Sequence, residues 1–210
     1  MYDELLLYGV TDRHWLNGRR LYDDVKESLD GGVTFIQLRE KTLDEETFLL
    51  EAKEIKSLCE AYHVPFVIND NVDIVKKINA DGVHVGQDDM NVEDVRRILG
   101  EEKIIGVSAS SVEEALCAEK GGADYLGVGA VFPTSSKDDA SDVSFEILKE
   151  ICEAVSIPVI AIGGISKENV HKLSGTGIVG IAVISAIFSK EDIKQAAIDL
   201  KKETRKALYD

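Results

Sequence analysis

Residues 37–41 read QLREK, and in an extended segment alternation places Gln37, Arg39 and Lys41 on one side, with Glu40 between the bases. A guanidinium and an ammonium held side by side suit phosphate oxygens, although the same string also occurs at solvated strand ends. A second apolar run ends in Asn69-Asp70, and a third ends in His84 followed by GQDD, which contains Gln87, Asp88 and Asp89. Carboxylates from Asp70 and Asp89 could converge on Mg²⁺, a hard ion often shared between protein carboxylates and substrate phosphates; either could instead cap the helix that follows. Gly163-Gly164, ahead of ISKEN, reads as a tight turn feeding a helix, where backbone N–H groups and the helix dipole favour an anion. VISAI at 183–187 offers Ile184, Ser185 and the same kind of amide nest. The segment GAVFPTSSKDDAS at 129–141 brings Thr134, Ser135, Ser136 and Lys137, hydroxyl donors beside a compact charge that could close over the first anion position. Ser108 ends the run IIGVS. These residues describe two anion positions, one served by bases and a divalent cation, the other by glycine amides and a serine. Histidines at zinc-ligand spacing and a nucleophilic triad are both missing, and His84 reads as a strand-packing or hydrogen-bonding residue.

For these groups to meet, the runs carrying them must end on one face. Strand-like runs fall at 5–10, 34–39, 65–69, 82–86, 104–108, 125–129, 158–162 and 178–184, several of them apolar almost throughout, as parallel strands covered on both faces are. Amphipathic segments lie between them at 21–30, 44–62, 72–78, 92–99, 111–120, 144–154 and 167–173, with a terminal helix at 191–207. In the 44–62 segment Phe48, Ala52, Ile55, Cys59 and Tyr62 form one stripe, and acidic residues open its first turn. Eight strands alternating with helices predict a closed (β/α)8 TIM barrel spanning residues 1–210 as one domain, with its chemistry at the strands' C-terminal ends. An open doubly wound sheet is the competitor, but the first strand is not followed by G-x-G-x-x-G. Small residues precede several strands, as in GGVTFIQL and GGADYLGVG, and are expected to end helices at the opposite face.

The chain has 210 residues, 44% hydrophobic and 30% charged, within the globular range. With 39 acidic against 24 basic residues its formal charge is -15, which argues against general nucleic-acid binding and against an anionic membrane partner. Apolar runs fall short of the ~20 residues of a membrane span, and the N-terminus does not read as a secretory signal. Cys59, Cys117 and Cys152 lie far apart in helical segments and read as core thiols of a reducing compartment, so the expected location is cytoplasmic. This composition is compatible with a homo-oligomer.

Taken in order, YGVTDR at 8–13, GVTFIQLREK at 32–41, INDNVDIV at 68–75, ADGVHVGQDDM at 80–90, IIGVSASS at 104–111, YLGVGAVFPTSSKDDA at 125–140, VIAIGGIS at 159–166 and VISAIF at 183–188 closely resemble the thiamine phosphate synthase family along nearly the full chain. The resemblance implies a (β/α)8 transferase with two phosphorylated small-molecule substrates. It would join hydroxymethylpyrimidine diphosphate to hydroxyethylthiazole phosphate with Mg²⁺, releasing pyrophosphate before the thiazole nitrogen attacks. By motif it assigns Arg39, Lys41, Asn69, Thr134, Ser136 and Lys137 to the diphosphate or pyrimidine side, and Asp70 and Asp89 to Mg²⁺. Gln37 and Ser108 would position the pyrimidine, while Gly164, Ile184 and Ser185 would line the thiazole phosphate site. Arg39, Lys41, Ser108 and Lys137 would be the catalytic set.

Two positions depart from the family pattern: Ser136 replaces the second threonine of P-T-x-T-K, and Ala130 stands where proline is common. Three rivals stay open at this level: a thiazole tautomerase-like isomerase, a phosphosugar isomerase or aldolase on the same barrel, and a non-catalytic phosphate-ligand binding protein. The first two want a proton-transfer pair or a Schiff-base lysine within a strand, which the strand ends do not offer.

Overall fold

A computed structural model describes residues 3–134 and 143–210. Eight parallel strands close into a barrel in sequence order: β1 (Leu7–Val10), β2 (Phe35–Leu38), β3 (Phe66–Asn69), β4 (Gly82–Val85), β5 (Ile104–Ala109), β6 (Tyr125–Val128), β7 (Val159–Ile162) and β8 (Gly180–Val183). Closure is made by β1 pairing with both β2 and β8. The predicted (β/α)8 barrel is therefore the fold, and the open sheet is excluded.

Alternation sorts the apolar residues into two cores. Tyr8, Val10, Phe35, Val67, Tyr125, Ile160 and Ala182 fill the barrel interior, while the residues between them pack outward against the helices. The helices α1 (Leu21–Asp30), α2 (Glu45–Tyr62), α3 (Val72–Ile78), α4 (Val92–Leu99), α5 (Val112–Lys120), α6 (Phe145–Ala154), α7 (Ser185–Phe188) and α8 (Ile193–Tyr209) complete the ring. The helix α2 starts where Asp44 accepts the Thr47 N–H at 2.9 Å, and it buries Phe48, Ala52, Ile55 and Cys59. At about 1.5–3 kcal/mol for each large apolar side chain, that stripe is what holds α2 in the core between the barrel and the helices. Gly31 and Gly121 close α1 and α5 ahead of their strands, as expected.

The structure corrects two expectations. The segment expected as a helix at 167–173 holds only a 3-10 turn, Val170–Leu173. Val170 and Leu173 are both buried, and an i, i+3 pair of anchors is equally compatible with three residues per turn. Cys117 is exposed rather than a core thiol, although Cys59 is buried. Among the described residues no helix is long and apolar enough to cross a membrane.

Candidate active site

The C-terminal ends of the strands surround a cavity of about 630 Å³. Arg39 and Lys41 enter it from beyond β2, Asn69 and Asp70 from β3, and Asp89 from the β4 loop. Ser108 enters from β5 and Thr134 from beyond β6; Gly164 follows β7, and Ile184 and Ser185 follow β8. Ten of the thirteen expected site residues thus face one space. Ser136 and Lys137 lie outside the described residues. Gln37 does not reach the cavity: it is 5% exposed and donates to the Tyr8 hydroxyl at 2.8 Å within the barrel. Alternation placed it on the correct face, but two residues along a strand is also ~7 Å of depth.

The β1 and β2 loops set the bases. The Arg39 backbone N–H donates to Thr11 Oγ1 at 3.0 Å, and Arg39 Nη1 donates to Asp12 Oδ2 at 3.1 Å. Arg39 Nε is buried and has no hydrogen-bond partner. An unmet donor on a cation inside a polar cavity is costly, and an anionic ligand would meet it. Glu40 faces away from the cavity, where Arg13 donates to both its oxygens at 3.0 and 3.1 Å and also reaches Glu51 at 2.7 Å.

That arrangement makes Glu40 titrate abnormally. Burial first, and then Glu51, push its carboxyl up to about 7 against the opposing pull of Arg13. The native state therefore holds a proton that an unfolded glutamate, near 4.5, has released. Stability from this group is fully present below that lower value and is lost as pH rises through the higher one. Urea unfolding of the wild type should lose stability across this window relative to Glu40→Gln, with a slope approaching one proton, or ~1.4 kcal/mol per pH unit. Parallel profiles for the two proteins would refute the assignment.

Asp70 sits at φ +62°, in the left-handed region that aspartate tolerates better than most side chains. Its N–H donates to His84 O at 2.8 Å, and the following Asn71 caps α3 by accepting the Ile74 N–H at 3.0 Å. Asp70 is thus not the cap and its carboxylate is free to face the cavity, where Lys41 Nζ donates to it at 2.7 Å and Asn69 Nδ2 also donates. Asp89 does not cap α4 either; Asn91 does, while Asp89 Oδ2 accepts the Gly86 N–H at 2.8 Å. Burial and then the neighbouring Asp89 raise the Asp70 pKa, with Lys41 pulling the other way. Two carboxylates brought within mutual reach, at a cost to the ionised form of Asp70, form a donor set suited to a hard divalent cation that completes its shell with ligand oxygens and water. Among the described residues no cluster of three or more His, Cys, Asp or Glu side chains could hold a metal by itself.

Across the barrel, Gly163 and Gly164 take φ +99° and +62°. A Cβ at Gly164 would lie 2.5 Å from Pro133 O, so only glycine serves there. Asn169 fixes this turn by donating to Gly164 O at 2.9 Å and accepting the Ser166 N–H at 2.8 Å. The expected helix start is absent here, because the next turn is 3-10 and begins six residues later. The helix α7 does follow β8 directly, and its N-cap, Ile184, supplies no side-chain bond to its first amides.

The residues that the sequence hid are tyrosines and acids. Tyr8 and Tyr125 sit in apolar runs and look like core, and Asp12 carries no spacing signal that ties it to Arg39.

A profile described as thiamine monophosphate synthase matches residues 7–187. The chain belongs to the thiamine monophosphate synthase family. It is 54% identical over 194 residues to the thiamine-phosphate synthase of Clostridium tetani, covering 92% of this chain and 93% of that protein. The Clostridium acetobutylicum thiamine-phosphate synthase is 53% identical over 191 residues, with 91% and 90% covered. The solved thiamine phosphate pyrophosphorylase from Pyrococcus furiosus superposes with a TM-score of 0.91 at 42% identity, covering 98% of each chain. Membership makes this protein a transferase of thiamine biosynthesis.

Proposed function

We propose that the chain couples hydroxymethylpyrimidine diphosphate to hydroxyethylthiazole phosphate, forming thiamine phosphate and pyrophosphate by a dissociative substitution. One observation carries the reading: a single cavity holds bases and paired carboxylates at β2–β4 and a glycine–serine wall at β7–β8, on the far side of the ring. Two anionic substrates can then lie with their reacting ends between the walls.

In this reading Arg39 and Lys41 hold the diphosphate, with the unmet Arg39 Nε as one of the donors, and Asn69 and Thr134 add neutral contacts. On the family resemblance Ser136 and Lys137 join the same side. When the C–O bond breaks, its electron pair leaves with pyrophosphate, and donors already aimed at those oxygens stabilise the charge as it develops. Asp70 and Asp89 would hold Mg²⁺, which when bound offsets diphosphate charge. Ser108 orients the pyrimidine. Gly164, Ile184 and Ser185 hold the thiazole phosphate so that the ring nitrogen lone pair faces the pyrimidine methylene and forms the new C–N bond before water can. The chemistry asks for placement and electrostatics rather than a titrating base.

The decisive assay mixes purified protein with both substrates and Mg²⁺, or with chelator, and follows thiamine phosphate and pyrophosphate. Equimolar products that depend on Mg²⁺ are expected; no coupled product in saturating Mg²⁺ would defeat the proposal.

A further inference from the structure

Below the cavity floor, a row of polar side chains crosses the otherwise apolar barrel interior. Gln37 Nε2 lies 2.8 Å from the Tyr8 hydroxyl, which lies 2.8 Å from the Tyr125 hydroxyl. The Tyr125 hydroxyl is 3.0 Å from His84 Nδ1, and His84 Nε2 is 3.0 Å from Ser108 Oγ. Both tyrosines are fully buried, whereas His84 and Ser108 line the cavity.

Room for this row is built into the sheet. Gly106 stands beside His84 on β4 and beside Tyr125 on β6, and Gly127 stands beside Ser108. A Cβ at Gly106 would collide with the Tyr125 ring and hydroxyl and lie 2.5 Å from His84 Nδ1; at Gly127 it would lie 3.1 Å from His84 Cε1. Any side chain at Gly106 would push the phenol and the imidazole apart.

Each hydroxyl has one proton to give, and a buried phenol that gives none leaves a donor unmet. Burial raises both tyrosine pKa values well above the ordinary range, so both protons are present. The Gln37 amide donates to Tyr8, so the Tyr8 proton goes to Tyr125 and the Tyr125 proton goes to Nδ1. The imidazole proton must then sit on Nε2 and point at Ser108 Oγ. The opposite order would need the Gln37 carbonyl against Tyr8.

We propose that Gln37, Tyr8 and Tyr125 form a one-directional hydrogen-bond relay that holds His84 as its Nε2–H tautomer and frees the Ser108 proton to be donated into the cavity. Tyr8 and Tyr125 are positioning residues, acting on the cavity only through His84 and Ser108. Resting on the function proposed above, the relay also sets a specificity: Ser108 selects an unprotonated ring nitrogen on the pyrimidine and disfavours an N–H at that place.

Long-range ¹H–¹⁵N correlation of ¹⁵N-labelled, ligand-free protein at pH 8 reads the tautomer directly. His84 is assigned by the signals that vanish in His84→Gln. A protonated Nε2 with a bare Nδ1 is expected; an Nδ1–H tautomer or a doubly protonated ring overturns the proposal. Tyr125→Phe keeps the ring and removes the donor, so its His84 signals should move toward a mixture of tautomers. Tyr8→Phe should move them less, because Tyr125 still donates. In coupling kinetics Tyr125→Phe should lower kcat by about tenfold with little change in KM. An unmoved tautomer in Tyr125→Phe refutes the relay. Because the tautomer is read without substrate, failure of the coupling assay would leave this result standing, and the reverse also holds.

Discussion

Arg39→Met is expected to lower kcat/KM for coupling by about 10²–10³-fold, the usual effect of removing one preorganised donor from a developing anion. The residue lines the cavity, donates to Asp12 and has a buried, unmet Nε. Some stability should be lost as well, because the Asp12 pair is mostly buried, each side chain 17% exposed, and Asp12 is left without its cation. Arg39→Lys keeps the charge without the planar fork and should fall between wild type and Arg39→Met. Unchanged kinetics in Arg39→Met, whatever its melting temperature, would remove Arg39 from the mechanism.

Asp89→Asn should separate function from stability. Asparagine retains an oxygen for the Gly86 N–H and leaves the Lys41–Asp70 pair in place, while it relieves the carboxylate beside Asp70. In metal-free buffer near neutral pH the variant should melt higher, by about 2–4 °C for each kcal/mol relieved. In the assay, the Mg²⁺ concentration giving half-maximal rate should rise by at least about tenfold. Unchanged Mg²⁺ dependence would exclude Asp89 as a ligand. Greater stability with weaker activity is the signature of a site held under electrostatic strain for function.

How much of this could be read in advance depends on what sequence patterns encode. Alternation predicts Arg39 and Lys41 on one side, and the structure brings both to one cavity with Asn69, Asp70, Asp89, Ser108 and Ser185, because a closed parallel barrel leaves the strand ends only one face. Depth is not encoded, so alternation alone does not show that Gln37 sits lower than Arg39 and donates to the Tyr8 hydroxyl. The phenols of Tyr8 and Tyr125 were invisible because a tyrosine in an apolar run packs like any aromatic, and its hydroxyl matters only once the opposite strand is known. The turn at Val170–Leu173 was ambiguous, since two anchors three apart suit either helix type. Asp12 and Glu40 found their partners through the β1–β2 pairing, a contact between separate segments that local spacing does not describe.

That pairing has a consequence for how the barrel closes correctly. Asp12 meets Arg39 and Arg13 meets Glu40, so two neighbours on one loop face two neighbours on the next with their signs exchanged. If β2 slipped by one residue in one direction, Asp12 would face Glu40 and Arg13 would face Lys41. A slip the other way would set Arg13 against Arg39. Either error places like charges together just above the sheet, while the native alignment alone satisfies all four. The crossed pairs thus act as a register lock on the first seam of the barrel, aligning the strand that carries the phosphate-facing bases.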